Sequence, residues 1–440
     1  MQNIRQYATS LVAAEVSAIT RYFDKLIQWQ PLPHDSGLLR EWITSSIKTT
    51  ANSLTDITGS TNTTFERVAI LLNGNINHDF DIEKTLADLK TKLTRFSRVI
   101  LVAYNPYFRY LYRIANRFGI RTGEIPETFV TETDLSNIAK LAGYEVVRTR
   151  PVVYCPWKLW GIGDLINRTL PCIPFAHYFG LVDVIVLRPV IPETSTPSIS
   201  IIIPARNEKG NIENSLKRMP EFGGAKIEVI FVEGHSNDET WEEIQRVILL
   251  YQHKFPIAAY KQSGKGKSDA VRLGFSKATL DLVTILDADL TMPPELLERF
   301  YRAYTIGLAD FINGNRLTYP MEGHAMKFLN RLGNVFFAKS LSFVLGVRIG
   351  DSLCGTKLLS RADYERMCQW RRDFGDFDPF GDFELLFPAS ELALGIVDVI
   401  IRYRDRVYGS TNIRRFYHGW MLLKMTAIGL LKVKLGKITR

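Results

Sequence analysis

Short apolar runs that alternate with longer amphipathic stretches make up most of the chain. The runs are rich in Val, Ile and Leu, which favour strands, and polar, glycine or proline residues follow them. This pattern predicts strands at 68–72, 99–104, 144–147, 182–187, 199–204, 227–232, 282–286 and 311–313. It predicts helices at 82–93, at 106–118, from the N-cap Thr131 to Gly143, and from about Asn211. Strands that alternate with helices are typical of doubly wound α/β sheets.

Changes in this pattern divide the chain into several parts. They are a weakly patterned segment at 1–64, a partial α/β domain at 65–190, a linker at 191–197, a second α/β domain at 198–413 and a basic amphipathic tail at 414–440. Proline and threonine dominate the linker. Within the first segment, residues 13–29 predict one amphipathic helix, and residues 44–64, rich in Ser, Thr and Asn, predict a loop. No apolar strand is expected before residue 64.

Two carboxylates stand directly after one predicted strand. Asp287 and Asp289 follow the apolar run at 282–286, and Pro293 and Pro294 then prevent the strand from continuing. If the backbone stays extended, both carboxylates point to the same face, because strand side chains alternate. Two hard oxygen ligands at the end of a buried strand suit Mg²⁺ or Mn²⁺, whose remaining ligands are usually water and phosphate oxygens. A solvated turn that contains two aspartates by chance is the alternative.

Other polar motifs in the second α/β domain are also candidates for the ligand-binding edge. They are the segments 204–208, 233–238, 265–267, 314–316, 351–357, 380–385 and 402–411. Lys265 and Lys267 flank a glycine just before a predicted helix, where two ammonium groups could neutralise a phosphate. A flexible solvated loop would explain the same two lysines.

Four of these motifs, taken in order, resemble those of family 2 glycosyltransferases with a GT-A fold, in the branch that acts on polyprenyl phosphates. The motifs are Ile203-Pro204-Ala205-Arg206-Asn207-Glu208, Lys265-Gly266-Lys267, Asp287-Ala288-Asp289 and Asp351-Ser352-Leu353-Cys354-Gly355-Thr356-Lys357. The resemblance covers about residues 198–420 and implies that Asp287 and Asp289 hold the metal. It implies a nucleotide-sugar site formed by Pro204, Ala205, Asn207, Glu208, Glu233, Asp238, Lys265, Lys267, Asp287, Ala288 and Arg316. Glu233-Gly234 departs from the Asp-Asp or Asp-Gly that is usual in the family.

The same resemblance implies roles near the diphosphate or the acceptor. The residues concerned are Arg331, Asp351, Lys357, Arg402 and Arg406. In inverting transferases a carboxylate removes the proton of the acceptor hydroxyl. Asp382 is the favoured base and Glu384 the second candidate, and a helical backbone would point them in different directions. A phosphate acceptor is already ionised, and Asp382 would then position groups instead.

The partial domain at 65–190 resembles the second half of a class I S-adenosylmethionine-dependent methyltransferase. The resemblance rests on the order of its strands and helices, on Tyr104-Asn105-Pro106 and on the segment 141–147. Such enzymes hold their cofactor on a glycine-rich turn after the first strand, but residues 1–64 contain only Gly37 and Gly59. We therefore expect a catalytically inert remnant that packs, docks or regulates.

The net charge of +9 is concentrated near the end of the sequence. Residues 401–440 contain ten basic residues and one acidic residue, so this segment accounts for the whole excess. A basic amphipathic helix at 417–433, with Lys424 and Lys432, predicts peripheral contact with an anionic membrane, although packing on the protein would explain it equally well. No nucleic-acid-binding module accompanies the charge, so nucleic acid is not an expected partner.

Four scattered cysteines, together with the lack of a signal-like apolar run near Met1, predict a cytoplasmic protein, with peripheral binding to the inner face of a membrane as an option. The predicted function is a metal-dependent, inverting glycosyltransferase that uses a nucleotide diphosphate-sugar donor. The acceptor is a polyprenyl phosphate or another precursor of a cell-surface glycan. The alternatives are an S-adenosylmethionine-dependent methyltransferase and a non-catalytic adaptor of polysaccharide assembly.

Overall fold

The computed structural model describes residues 2–33, 35, 37–58, 66–121, 124–173, 175–320, 328–374, 381–406, 408 and 415–435. Contacts between residues divide the chain into two compact units. Unit 1 comprises Met1–Ile191, Glu391–Ala393 and Gly429–Arg440, and unit 2 comprises Pro192–Ser390 and Leu394–Ile428. Each unit has its own sheet and its own apolar core.

The described part of unit 1 is built on a six-stranded mixed sheet. Its strands are β1 Lys25–Trp29, β2 Lys48–Ala51, β3 Val68–Asn73, β4 Arg98–Tyr104, β5 Tyr144–Val152 and β6 Val182–Pro189. They lie in the order β2-β1-β3-β4-β6-β5, with β1 to β4 parallel and β6 antiparallel to both of its neighbours. The α-helices are α1 Gln2–Thr20, α2 Leu38–Trp42, α3 Leu54–Thr58, α4 Ile82–Lys90, α5 Arg109–Arg117, α6 Glu132–Leu141 and α7 Ile162–Thr169.

Burial explains why the central strands of unit 1 could be predicted. All residues of β3 except the last are buried, as a parallel strand covered on both faces requires. Helix α4 packs Ile82, Leu86 and Leu89 into one apolar cluster with this sheet. The predicted N-cap of α6 is confirmed, because the Thr131 hydroxyl accepts a hydrogen bond from the Asp134 amide at 3.2 Å.

The first 64 residues differ from their prediction. The expected helix at 13–29 is instead α1, which ends at Thr20, followed by strand β1; β2 and α3 lie within the expected loop at 44–64. Strand β1 has only five residues, and its apolar positions continue the periodicity of the preceding helix in the sequence. Strand β2, Lys-Thr-Thr-Ala, is a polar strand at the edge of the sheet. A short strand and a polar edge strand lack the apolar run by which strands are recognised.

The described part of unit 2 forms a seven-stranded sheet in the order β13-β11-β12-β10-β7-β8-β9. Its strands are β7 Ile199–Ala205, β8 Ile227–Glu233, β9 Ile257–Lys261, β10 Leu282–Ile285, β11 Phe311–Asn315, β12 Lys357–Ser360 and β13 Ile396–Ile400. Only β12 is antiparallel to its neighbours among these strands. The α-helices after Ile191 are α8 Lys209–Lys217, α9 Thr240–Tyr251, α10 Lys267–Lys277, α11 Leu297–Thr305, α12 Phe328–Leu345, α13 Arg361–Phe374, α14 Phe383–Glu391 and α15 Arg415–Gly429, which is followed by a π-helix, Leu430–Leu435.

The order of strands in unit 2 creates one preferred place for a ligand. From β7 the chain moves to β8 and β9 on one side, and then returns to β10 on the other side. Ligands of open α/β sheets bind outside the carboxyl ends of the strands at such a switch point. Three non-glycine residues with positive φ follow these strands, namely Asn207 (57°), His235 (57°) and Leu290 (51°). Strained backbone of this kind is common at functional sites.

The predicted amphipathic tail is helical in its described part. Leu422, Met425 and Val433 are buried, whereas Trp420 and Leu431 are exposed. Part of its apolar face is therefore already covered, and residues 436–440 of the tail lie outside the described residues. Among the residues that the structure describes, none of the helices combines the length and the apolar character needed to cross a bilayer.

Candidate active site

The aspartate pair lies on a turn at the carboxyl end of β10, beside β7. Strand β10 ends at Ile285, so Asp287 and Asp289 are presented by a turn and not by an extended strand. Thr291 fixes this turn, since its amide (3.1 Å) and its hydroxyl (2.8 Å) both donate to Asp289 Oδ1. Ala288, between the two aspartates, is buried in the core of unit 2.

Each carboxylate of the pair contacts a cation from another part of unit 2. The Lys267 ammonium, at the start of α10, forms an ion pair with Asp287 Oδ1. The Arg406 guanidinium lies 2.6 Å from Asp289 Oδ2 and 3.8 Å from Glu208 Oε1. Burial raises the pKa of Asp287, but the attraction of Lys267, together with smaller contributions from Arg316 and Lys357, outweighs it and holds that pKa below its ordinary value.

The loop between Asp351 and Lys357 packs directly against this pair. A Cβ atom on Gly355 would lie 2.4 Å from Asp287 Oδ2 and 2.0 Å from Lys267 Nζ. A side chain there would force Asp287 or Lys267 to shift, so glycine at position 355 permits the close approach. The structure thus brings together three of the motifs on which the family resemblance rests.

The fourth motif lies on the other side of the switch point, where the turns after β7 and β8 are hydrogen-bonded to each other. Gly234 N donates to Ala205 O (2.9 Å), and Asn207 N donates to Ser236 Oγ (3.0 Å). Asn237 N in turn donates to Asn207 Oδ1 (2.7 Å). Pro204 belongs to β7 itself and is paired with β8. These hydrogen bonds join the two turns into one rigid surface at the carboxyl edge of the sheet, which we call the ledge.

Acidic residues predicted to contact the nucleotide also stabilise this ledge. Glu233 Oε1 accepts a hydrogen bond from Ser236 N (2.5 Å), and Asp238 Oδ1 accepts one from Thr240 N (3.1 Å) at the start of α9. Glu208 is buried and accepts from Asn211 Nδ2 (2.7 Å). Burial raises the pKa of Glu208 to about 7, although the Asn211 amide opposes the shift.

Two residues that were predicted to contact a ligand, Arg316 and Asp351, form an ion pair with each other. Arg316 Nε and NH2 lie 2.7 and 2.9 Å from the two oxygens of Asp351, which is fully buried. The guanidinium also lies over the Tyr403 ring, 5.3 Å from its centroid. A bidentate pair of this kind fixes both side chains. Arg316 and Asp351 therefore hold the loop after β11 against the loop before β12.

The two candidate bases have different partners. Asp382 Oδ1 lies 2.5 Å from the ammonium of Lys357, and both residues are buried. Glu384 accepts from Arg272 Nε (2.9 Å) and lies 3.5 Å from Arg371 NH1. Glu384 is thus part of a structural cluster with two arginines. Phe380, the first residue of this motif, lies outside the described residues.

Three other basic residues were predicted to bind a ligand, namely Lys265, Arg331 and Arg402. Lys265 is exposed, and Arg331 NH2 donates to Leu317 O at 3.2 Å. Arg402 lines a cavity of about 650 Å³. Its lining residues are Arg218, Pro293, Glu295, Leu296, Arg299, Tyr319, Pro320, Arg402 and Arg404. Arg218, Arg299 and Arg404 were not predicted, although the alternation of basic residues at 402, 404 and 406 was a signal in the sequence.

A divalent cation fits the chemistry of the aspartate pair. The described residues hold no cluster of three or more His, Cys, Asp or Glu side chains that would form a site without a ligand. Asp287 and Asp289 nevertheless supply two hard oxygen donors at the strand end, and each already attracts a cationic group. Mg²⁺ and Mn²⁺ sites commonly need only one or two carboxylates, with phosphate and water completing the shell.

The similarity to known proteins lies in unit 2. Residues 200–367 match the family model "Glycosyl transferase family 2". A dolichol-phosphate mannosyltransferase of Pyrococcus furiosus is 34% identical over 120 residues, which are 27% of this chain and 33% of that protein. A dolichyl-phosphate hexose transferase of Haloferax volcanii is 27% identical over 52% of this chain and 91% of its own length. The chain thus spans only a third of the first of these relatives.

Among solved structures, a glucosyl-3-phosphoglycerate synthase of Mycobacterium tuberculosis, in complex with Mn²⁺ and UDP, is 18% identical with a TM-score of 0.38, over 54% of this chain and 80% of that one. The comparisons do not confirm the methyltransferase resemblance of the N-terminal part, and they favour neither a methyltransferase nor an adaptor. The matched residues of unit 2 are thus similar to family 2 glycosyltransferases.

Proposed function

We propose that the protein is a metal-dependent, inverting glycosyltransferase that moves a sugar from a nucleotide diphosphate-sugar to an anionic, lipid-linked acceptor. One observation carries the proposal. Asp287 and Asp289 lie at the switch point of an α/β sheet, next to two cations and to the rigid ledge formed by the turns after β7 and β8. This arrangement provides charge for a diphosphate and a flat polar surface for a nucleoside.

Asp287 and Asp289 would hold the metal. When bound, it neutralises negative charge that develops on the leaving diphosphate. Lys267 and Arg406 already lie at these carboxylates, so they remain close to the diphosphate if the metal displaces them. Cations fixed beside a leaving group stabilise its charge without further reorganisation. The ledge around Asn207 and Ser236 orients the nucleoside.

The cavity beside the aspartate turn supports an anionic acceptor. Arg404 N donates to Thr291 O (2.9 Å), and Thr291 holds Asp289, so the wall of the cavity is continuous with the metal-binding turn. Four arginines and one glutamate line this cavity. Arg218 is paired with Glu295 at 2.7 Å, and the other lining residues include three arginines and no acidic residue. Guanidinium groups suit phosphate recognition, and Leu296 with three other apolar or aromatic side chains suits an attached lipid chain.

The environment of Asp382 also favours a phosphate acceptor. Its carboxylate already contacts the buried Lys357 ammonium at 2.5 Å, so the ion pair occupies the oxygen that would have to accept a proton. A phosphate oxygen is already ionised and needs no base to attack the sugar. In this account Lys357 and Asp382 position the loop before β12 and remove no proton.

A thermal-shift experiment tests the donor side of the proposal. UDP-, GDP- and dTDP-sugars are added to the full chain with and without Mn²⁺, and the same series is repeated with Asp289→Ala. One donor should raise the melting temperature of the wild type in the presence of Mn²⁺ only, because ligand binding to the folded state stabilises it. An equal shift without metal, or in the Asp289→Ala variant, would show that donor binding does not require a metal held by Asp289.

A further inference from the structure

Unit 1 carries an unusually apolar surface, which we call the aromatic patch. Its most exposed members are Tyr107, Tyr110 and Phe118 around helix α5, and Trp160, Phe175 and Phe179 around helix α7. Trp160 is as exposed as in an extended chain, at 102%, and Phe175 is 76% exposed. Single exposed apolar residues are normal, but a concentration of large aromatic side chains marks a surface that meets something other than water.

The two segments meet at Tyr107 and Tyr178. The rings of Tyr107 and Tyr178 meet edge to face, with 5.9 Å between their centroids. The Asn105 amide, which is buried, donates to Gly180 O at 2.8 Å and to Tyr178 O at 3.3 Å. The loop before α5 is therefore fastened to the loop before β6, and their exposed side chains lie side by side.

Internal hydrogen bonds hold the patch in place. Asn167 in α7 is buried, and its side chain accepts from the amides of Tyr154 (2.7 Å) and Cys155 (3.0 Å) while it donates to Cys155 O (2.8 Å). Trp160 and Phe175 have positive φ angles of 51° and 73°. Both residues thus keep a strained backbone while their rings remain in solvent. The strain costs free energy, and packing of these exposed rings does not offset that cost in the isolated chain.

The basic residues around the patch indicate what kind of partner it binds. Residues 105–121 contain Arg109, Arg113, Arg117 and Arg121 and no acidic residue. Arg113 and Arg117 are exposed on α5, between Tyr110 and Phe118. Basic residues interleaved with aromatic residues on a fixed helix are typical of surfaces that lie in the interface of an anionic bilayer. Asp164, an acidic residue of α7, accepts a hydrogen bond from the Tyr7 hydroxyl at 2.7 Å.

We propose that the aromatic patch of unit 1 binds the surface of a membrane that contains anionic lipids. The aromatic rings enter the head-group region, and the arginines of α5 meet the lipid phosphates. Binding itself requires no glycosyltransferase activity. Its use rests on the proposed function, because a lipid-linked acceptor is available only to an enzyme that stays at the bilayer.

Vesicle binding tests the proposal with the full chain. Co-sedimentation is measured with phosphatidylcholine vesicles and with vesicles that also contain 30% phosphatidylglycerol, at low and at high salt. Two variants probe the patch, Arg113→Gln/Arg117→Gln and Trp160→Ser/Phe118→Ser. Two controls probe other surfaces, Leu249→Ser on the exposed face of α9 and Lys424→Gln/Lys432→Gln in the tail. Melting curves establish that each variant is folded.

The wild type should bind the anionic vesicles, and salt should weaken this binding. The double arginine variant should bind roughly 25-fold more weakly, at about fivefold for each arginine near an anionic surface. The aromatic variant should bind at least about tenfold more weakly to both vesicle types. Both controls should bind like the wild type. Wild-type binding that survives both patch variants, or that is lost only in the tail variant, would overturn the proposal, as would no vesicle binding at all.

Discussion

Asp287 and Asp289 are paired with Lys267 and Arg406 before any ligand arrives. Removing two carboxylates from water without compensation would be costly, and these cations reduce that cost. The same cations make the turn suitable for a metal diphosphate, because the ligand replaces one set of charges by another. Glycine at position 355 favours this arrangement, since a Cβ there would overlap both partners of one ion pair.

Gly355→Ala tests that arrangement. The added Cβ would lie within 2.4 Å of Asp287 Oδ2, so Asp287 or Lys267 must shift. A displacement of about 1 Å at a reacting site can cost about 100-fold in rate, and we expect a loss of that order in kcat. Gly333→Ala in α12 is the matched control, because a Cβ there meets nothing within 4 Å. It should keep full activity and gain roughly 0.5–1 kcal/mol in stability. Equal activity of the two variants would contradict the close packing.

The strands and helices show what the sequence could predict. Strands β3, β4, β7 and β8 were predicted because each is an apolar run buried on both faces. Strands β1, β2, β9, β12 and β13 were missed, since they are short, polar or only partly buried. At the site, the sequence predicted which residues occur at the strand ends. It could not predict that Arg316 binds Asp351 or that Lys357 binds Asp382, because ion pairs between distant positions leave no periodic signal.

Strand β6 provides a pH-dependent test of unit 1. Burial, with a smaller contribution from Glu132, raises the pKa of Asp183 to about 7. An unfolded aspartate titrates near 3.9, so between about pH 4 and pH 7 the folded state retains a proton that the unfolded state has lost. The contribution of Asp183 to the free energy of unfolding is therefore fully present below about pH 4. It is lost as the pH rises through 7.

The free energy of unfolding should fall by roughly 1–2 kcal/mol across that range, a value reduced to allow for the partial exposure of the carboxyl. Urea titrations at several pH values measure it. Asp183→Asn should flatten this dependence, and Glu132→Gln should change it only slightly. A slope in Asp183→Asn that equals that of the wild type would assign the effect to another group.

The arginine-lined cavity in unit 2 yields a kinetic prediction. Arg299→Gln/Arg404→Gln removes two guanidinium groups from its wall, and each charged hydrogen bond lost is worth about 1.5–3 kcal/mol. We expect the KM for a polyprenyl phosphate acceptor to rise at least about tenfold, with the KM for the donor nearly unchanged. Arg361→Gln is the control, since Arg361 forms an exposed ion pair with Glu365. A rise in the donor KM alone would place the diphosphate in this cavity instead.

Across the whole chain, the two units have separate tasks in this account. The family match at 200–367 lies within unit 2, which also contains every predicted site residue. Unit 1 has its own sheet and core, and it carries the aromatic patch. The positive charge of residues 401–440 does not all lie in the tail at 414–440. Arg406 contacts Asp289, and Arg402 and Arg404 line the cavity. Part of the net charge thus belongs to the site.

Sugar transfer is the most direct test of the central claim. The full chain is incubated with the donor found by thermal shift and with polyprenyl phosphate in anionic vesicles, and both glycolipid and nucleoside diphosphate are measured with and without Mn²⁺. The account predicts metal-dependent formation of both products in equal amounts. It predicts a loss of at least about 100-fold in Asp289→Ala, with a melting temperature close to that of the wild type without ligands. Transfer at the wild-type rate by Asp289→Ala, or by the wild type in the presence of a chelator, would contradict it.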